Sequence, residues 1–226
     1  MKLELITHYG ISVNFPEETS RRTQNGLIKW HNENKIEMAS APDIYEALKN
    51  RRERPKIVRT IHEENGVITG SKQIHKNQNL GRLAHNYGSI SREVKTSEEI
   101  KIPFFPGTPI KHITCFQAQK IDQVLESEEG LKYMQAVLGT DDNSRKMLKR
   151  LTNSFGRYLF VSTPEGFTRT SETFGKKITP IVFYYMHGIY SIDSTWKVNN
   201  ERSRSMKVLE QRLEEVPLKW NQFKSY

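Results

Sequence analysis

The chain has 226 residues, 35% of them hydrophobic, with ten Phe, nine Tyr and three Trp, which is enough apolar material for a packed core and excludes an intrinsically disordered chain. Thirty-five Lys and Arg stand against 26 Asp and Glu, a formal charge of +9 that suits a polyanionic partner. The one cysteine, Cys115, excludes an internal disulfide, argues against a cysteine-based zinc site and fits a reducing compartment such as the cytoplasm.

The opening MKLELITHYG is too polar for a secretory leader. No apolar run reaches the ~18 residues of a bilayer span, so no membrane partner is expected. Leu3 and Leu5 alternate with Lys2 and Glu4, a strand pattern. Pro16 and the Asn25-Gly26 pair mark a loop, and LIKW after it reads as a short strand or a helix start. SAPDIYEALKN is a helix: Ser40 caps it, Pro42 suits its first turn, and Ile44, Tyr45 and Leu48 share a face. That helix is expected to stop before Pro55.

PKIVRTIHEENGVITGSKQI reads as a β-hairpin, because Ile57, Arg59 and Ile61 alternate with their neighbours and Asn65-Gly66 is the dipeptide of two-residue hairpin turns. KNQNLGRLAHNYG reads as a polar connection, and SISREVKTSEEIKI as a strand or hairpin arm. Pro103, Pro106 and Pro109 then interrupt regular structure. One helix is expected around Phe116, Ile121, Val124 and Leu125, and a second over Leu131, Met134, Val137 and Leu138, ending at Gly139. DDNSRKMLKRLTNSFG is a third, with the stripe Met147, Leu148 and Leu151 and a stop at Gly156. RYLFVSTPEGFTRTS reads as strand, turn and strand, and ITPIVFYYMHGIYSID as two strands bent at His187-Gly188. Leu209, Leu213 and Val216 outline a terminal helix stopped by Pro217, with Trp220 and Phe223 docking the tail.

Strands and helices mix without a βαβ rhythm. The expected fold is α+β, with mainly antiparallel strands and several helices, more helical in its second half. It is read as a single domain over 1–226 with a soft boundary near Gly107.

The charge is unevenly placed. Residues 49–95 hold eleven Lys and Arg against four Glu, most of the chain's excess in about a fifth of its length. Arg51, Arg52, Arg54 and Arg59 fall within nine residues, and the guanidinium fork matches phosphate. Lys56, Lys72, Lys76 and Arg82 extend the run, and Tyr87 is placed to stack on a base. A second group, Arg145, Lys146, Lys149 and Arg150, lies opposite Met147 and Leu151 on its helix, with Arg157 beyond it. Lys111, after the proline turn, is the remaining candidate phosphate contact. IPFFPGTPIKH resembles the Pro-Gly turn and following lysine of RNA-binding subunits of CRISPR effector complexes, without the glycine that usually follows that lysine. The simpler reading is a rigid loop shielding the core with Phe104 and Phe105.

The function expected is a non-catalytic nucleic-acid-binding protein of nucleocapsid or ribonucleoprotein-subunit type, RNA slightly preferred over DNA, gripping the phosphate backbone and needing no cofactor. An alternative is a Mg²⁺-dependent nuclease. Glu93-Val94-Lys95 is similar to the E-x-K half of that pattern, in which an acid and a lysine share one face of a strand. The pattern needs an acid on a neighbouring strand, and the only upstream aspartate is Asp43, at a helix start. A third reading is a structural phage or viral particle protein whose charge serves assembly of many copies in a virion. The seven histidines form no metal-binding spacing, and no phosphate-cradling glycine loop or GxSxG elbow occurs.

Overall fold

The computed structural model describes residues 10–14, 22–77, 79–103, 118–162, 178–186, 188–194 and 205–211. In chain order they form β1 (Gly10–Asn14), α1 (Gln24–Glu33), α2 (Ala41–Ala47), α3 (Arg54–Glu63), β2 (Gly66–His75) and β3 (Leu80–His85). There follow β4 (Lys95–Thr96), β5 (Ile100–Lys101), β6 (Ala118–Lys120), α4 (Ile121–Glu126), α5 (Glu128–Leu138) and α6 (Ser144–Phe155). The last elements are β7 (Leu159–Ser162), β8 (Ile178–Met186), β9 (Ile189–Asp193) and β10 (Lys207–Gln211). The fold is α+β.

Eight strands make one sheet in the order β4-β3-β2-β8-β9-β7-β6, with β5 also beside β3. Its pairings are antiparallel except β7 with β9, which run parallel. β1 and β10 form a separate antiparallel ribbon. Alternation along the strands sorts side chains onto two faces. Val67 of β2, Leu83 of β3, Ile181 and Phe183 of β8, and Ile192 of β9 join the main core with buried residues of α2 through α6. Ile68 and Val182 point the other way, where Leu27 of α1 and Met38 cover them. The main core takes residues from Ala39 to Met206 and so draws on both sides of Gly107.

Local chemistry sets the helix ends. Ser40 and Asp43 form the capping box that opens α2: the Ser40 hydroxyl accepts from the Asp43 N–H, and the Asp43 carboxylate accepts from the Ser40 N–H at 2.7 Å. Asn143 caps α6 by accepting from the Lys146 N–H at 2.9 Å. Gly139 ends α5 in the left-handed region, φ +57°, where a Cβ would also stand 2.6 Å from Pro42.

Several expectations are corrected. The segment from Pro55 to Glu63, read as a hairpin arm, is helical, with Pro55 in the first turn and Ile57 and Ile61 buried one turn apart. Asn65 at φ +56° lies just past the C-cap of α3, the left-handed position that follows many helices, so it ends a helix and does not make a hairpin turn. The hairpin is instead β2–β3, closed where the Lys76 N–H donates to the Leu80 carbonyl at 2.9 Å. The supposed polar connection thus contains β3, with Leu83 and Ala84 buried. LIKW lies inside α1. Residues 91–102 hold only the two short strands β4 and β5. Leu209 belongs to a strand, opposite Ser12, and not to a helix. The strand read over 2–7, the turn with Phe104, Phe105, Pro106 and Pro109, Cys115, the TPEG turn and the tail beyond 211 lie outside the described residues. No helix among the described residues is long and apolar enough to cross a membrane.

Candidate nucleic-acid interface

At about 100° per residue, burying Ile57 and Ile61 turns Arg59 of α3 straight outward. The turn before α3 exposes Lys49, Arg51 and Arg52. On α6 the buried stripe is Met147, Leu151 and Phe155, which leaves Arg145, Lys146 and Lys149 exposed. α3 packs against α6, so both cationic helices belong to the helical side of the sheet.

Many of the candidate cations are already engaged. Lys49 pairs with Glu46, and Lys56 with Glu53 at 3.0 Å. The Arg54 Nε donates to the Leu48 carbonyl at 3.0 Å, a tie between successive helices. Asp142, buried just before α6, holds Lys146 at 2.6 Å and also Arg150, whose guanidinium lies 4.7 Å from the Tyr45 ring centre. The Tyr45 hydroxyl donates to the same carboxylate at 2.9 Å. Burial pushes the Asp142 carboxyl up. The hydrogen bonds from Lys146 and Tyr45 and the Arg150 charge outweigh that effect, and the net shift is downward. On α3, α6 and the turn before α3, Arg51, Arg52, Arg59, Arg145 and Lys149 are exposed and make no ion pair or side-chain hydrogen bond among the described residues.

The run of positive charge over 49–95 is therefore not one surface. Lys72 and Arg82 alternate with Gln73 and Leu83, which face the main core, and so lie on the opposite side of the sheet from α3 and α6. Lys72, expected near an exposed hairpin tip, is only 3% exposed. Its ammonium donates to Asn25 Oδ1 at 3.2 Å and sits 3.7 Å from the Tyr87 ring centre, and burial pushes its pKa down to about 8. One face of Tyr87 is thus occupied by Lys72. Arg82 is exposed, and Lys76 is exposed with Glu99 at 2.8 Å. Lys111 lies outside the described residues, and Arg157 is exposed beyond the end of α6.

This division yields a direct comparison. Lys149→Gln is expected to weaken nucleic-acid binding several-fold with stability changed by less than about 0.5 kcal/mol, as for an ordinary surface substitution. Arg150→Gln should cost about 2 kcal/mol, because it breaks a partly buried pair with Asp142. Urea denaturation and a binding titration on both variants separate the two roles.

The nuclease pattern does not form. Glu93 precedes β4 and is not part of a strand, so Glu93 and Lys95 do not share a strand face. Both are exposed, and the Glu93 carbonyl accepts from Asn86 Nδ2 at 3.2 Å. Asp43 is committed elsewhere: its carboxylate takes the Ser40 N–H and hydroxyl, and Arg92 Nη1 contacts both its oxygens, at 3.0 and 2.8 Å. Lys95 lines a cleft of about 610 Å³ with His85 on its wall. His85 is buried and both its nitrogens are engaged, Nδ1 with Ser71 Oγ at 2.9 Å and Nε2 with the Ala136 carbonyl at 2.8 Å. Among the described residues no three His, Cys, Asp or Glu side chains gather to hold a metal ion.

Engagement, and not sequence position, separates the candidate contacts from the structural cations. For Lys146 a sequence signal existed, since Asp142 stands one helical turn before it. No family model, no curated protein and no solved structure matches this chain.

Proposed function

We propose that this protein binds the phosphate backbone of nucleic acid, without catalysis, through the outward faces of the neighbouring helices α3 and α6. The observation that carries this reading is that five exposed cations on α3, α6 and the turn before α3 have no acidic partner among the described residues: Arg51, Arg52, Arg59, Arg145 and Lys149. Arg145 and Lys149 stand one turn apart on α6, where like charges repel. A polyanion relieves that repulsion and gains charge-assisted hydrogen bonds to arginine. Cations of this kind contact phosphates and carry no base information, so the binding is largely independent of sequence.

The test is the salt dependence of affinity for a labelled oligonucleotide. Five phosphate contacts to a single strand give a log–log slope of roughly −3.5, which is about a hundredfold loss between ~50 and ~200 mM salt. Replacing the five residues with Gln should remove most of that slope. A flat salt response, or no binding at low salt, rules the reading out.

A further inference from the structure

A line of aromatic rings leaves the core beside the α3 cations. Phe183 and Phe155 are buried, with ring centres 6.1 Å apart. Phe155 lies 5.2 Å from Tyr190, Tyr190 lies 4.7 Å from Tyr185, and Tyr185 lies 4.2 Å from His62. Exposure rises along the series: Tyr190 and Tyr185 are half-buried, and His62 is exposed. The backbone explains the alignment. Tyr185 and Tyr190 are direct partners across the β8–β9 pairing, and His62 is in the last turn of α3. Arg59 precedes His62 by three residues and is its neighbour on the helix surface.

A second exposed ring belongs to the opposite face of the sheet, since Leu159 and Val161 face the main core and Lys120, beside that ring, pairs with Phe160. Tyr158 is 64% exposed, and the next residue, Leu159, is the register partner of Tyr190 across β7–β9. Lys120 Nζ lies 5.9 Å from the Tyr158 ring centre. Each exposed ring thus has a cation beside it, Arg59 for His62–Tyr185 and Lys120 for Tyr158.

From this arrangement we infer that the partner is single-stranded nucleic acid, with unpaired bases stacking on the His62–Tyr185 pair. The inference rests on the phosphate-binding reading above and adds the strandedness of the partner. Rings seal the core only where they are covered; here they continue outward past the covered part, buttressed from below and so already fixed in place. A base offers a π-face to such a ring whatever its identity, and adjacent cations follow the sugar–phosphate chain. In a duplex those faces are occupied by neighbouring base pairs, and the platform has nothing to take.

The experiment compares two labelled strands of equal length and charge, an oligothymidylate and its abasic counterpart, at low and moderate salt. The native protein is expected to bind the thymidylate about tenfold tighter or more. His62→Ala combined with Tyr185→Leu should abolish that preference and keep the salt slope, with circular dichroism confirming the fold. Equal affinity of the native protein for the two strands overturns the stacking platform and leaves backbone binding standing. Failure to bind either strand at low salt overturns both.

Discussion

Arg92→Ala is expected to lower folding stability by about 3 kcal/mol, read as a shift in urea midpoint. Arg92 fastens the segment after β3 to the start of α2. Its Nη1 spans both oxygens of Asp43, its Nη2 donates to the Met38 carbonyl at 2.8 Å, and its Nε donates to Glu37 at 3.4 Å. Glu37 also receives the Ser89 hydroxyl and the N–H and hydroxyl of Ser91. The side chains of Asp43 and Glu37 are 7% and 17% exposed, so removing the guanidinium strands two carboxylates with little water to solvate them. Arg92→Lys should recover only part of the loss, because one ammonium cannot reproduce the fork. A loss below about 1 kcal/mol would mean that the clamp is ornamental.

The same variant carries a pH signature. Burial alone raises the Glu37 carboxyl, but the hydrogen bonds from Ser89 and Ser91 and the Arg92 charge bring it below its ordinary value. A carboxyl lowered in the native state stabilises fully above its unfolded pKa, and that stability is lost as pH falls through the native value. Arg92→Ala should therefore show a shallower acid-side decline than the native protein, since less remains to be lost.

Gly130→Ala should destabilise by about 2 kcal/mol, the opposite of the usual result for glycine in a helix. Alanine gains about 1 kcal/mol of helix propensity there. Against that, a Cβ at this position would stand 2.0 Å from the Val124 carbonyl oxygen and 2.7 Å from Ser127 Oγ. α4 and α5 are joined by Ser127 alone, which also caps α5 by accepting from the Gly130 N–H at 3.0 Å. The clash is with backbone at a one-residue link and cannot be relieved by a rotamer, so overpacking of about 3 kcal/mol prevails. A thermal melt settles the sign; a variant more stable than the native protein would show that the link can open at small cost.

The legible parts of this fold were those with local chemistry. Ser40, Pro42 and Asp43 announce α2, Asn143 announces α6, and Gly139 ends α5, each through contacts within a few residues. α3 was misread because Ile57 and Ile61 stand four apart, a spacing that suits one strand face as well as one helix face. Asn65-Gly66 suits a hairpin turn and a helix end alike. Pro55 suits a helix stop as well as a helix start, and here it sits in the first turn of α3. β10 was misread because its strand depends on β1, about two hundred residues earlier, which no local pattern announces.

The site was legible in residue type and not in place. The excess over 49–95 pointed to cations, but the strands between sent Lys72 and Arg82 to the far side of the sheet. Arg59 and Arg145, more than eighty residues apart in sequence, ended on adjoining helices. The ring series was invisible because its members, His62, Phe155, Tyr185 and Tyr190, come from four different elements.

The β1–β10 ribbon has a consequence for how this protein is made. Besides pairing with β1, the segment leading into β10 seals the first third of the molecule: Ser205 Oγ meets His31 Nε2 at 2.7 Å, the Met206 carbonyl takes the Ala39 N–H at 2.8 Å, and Met206 is buried in the main core. On a ribosome, residues 10–39 emerge about 170 residues ahead of the segment that closes on them. Until that segment is made, the nascent protein is an unlatched form of itself.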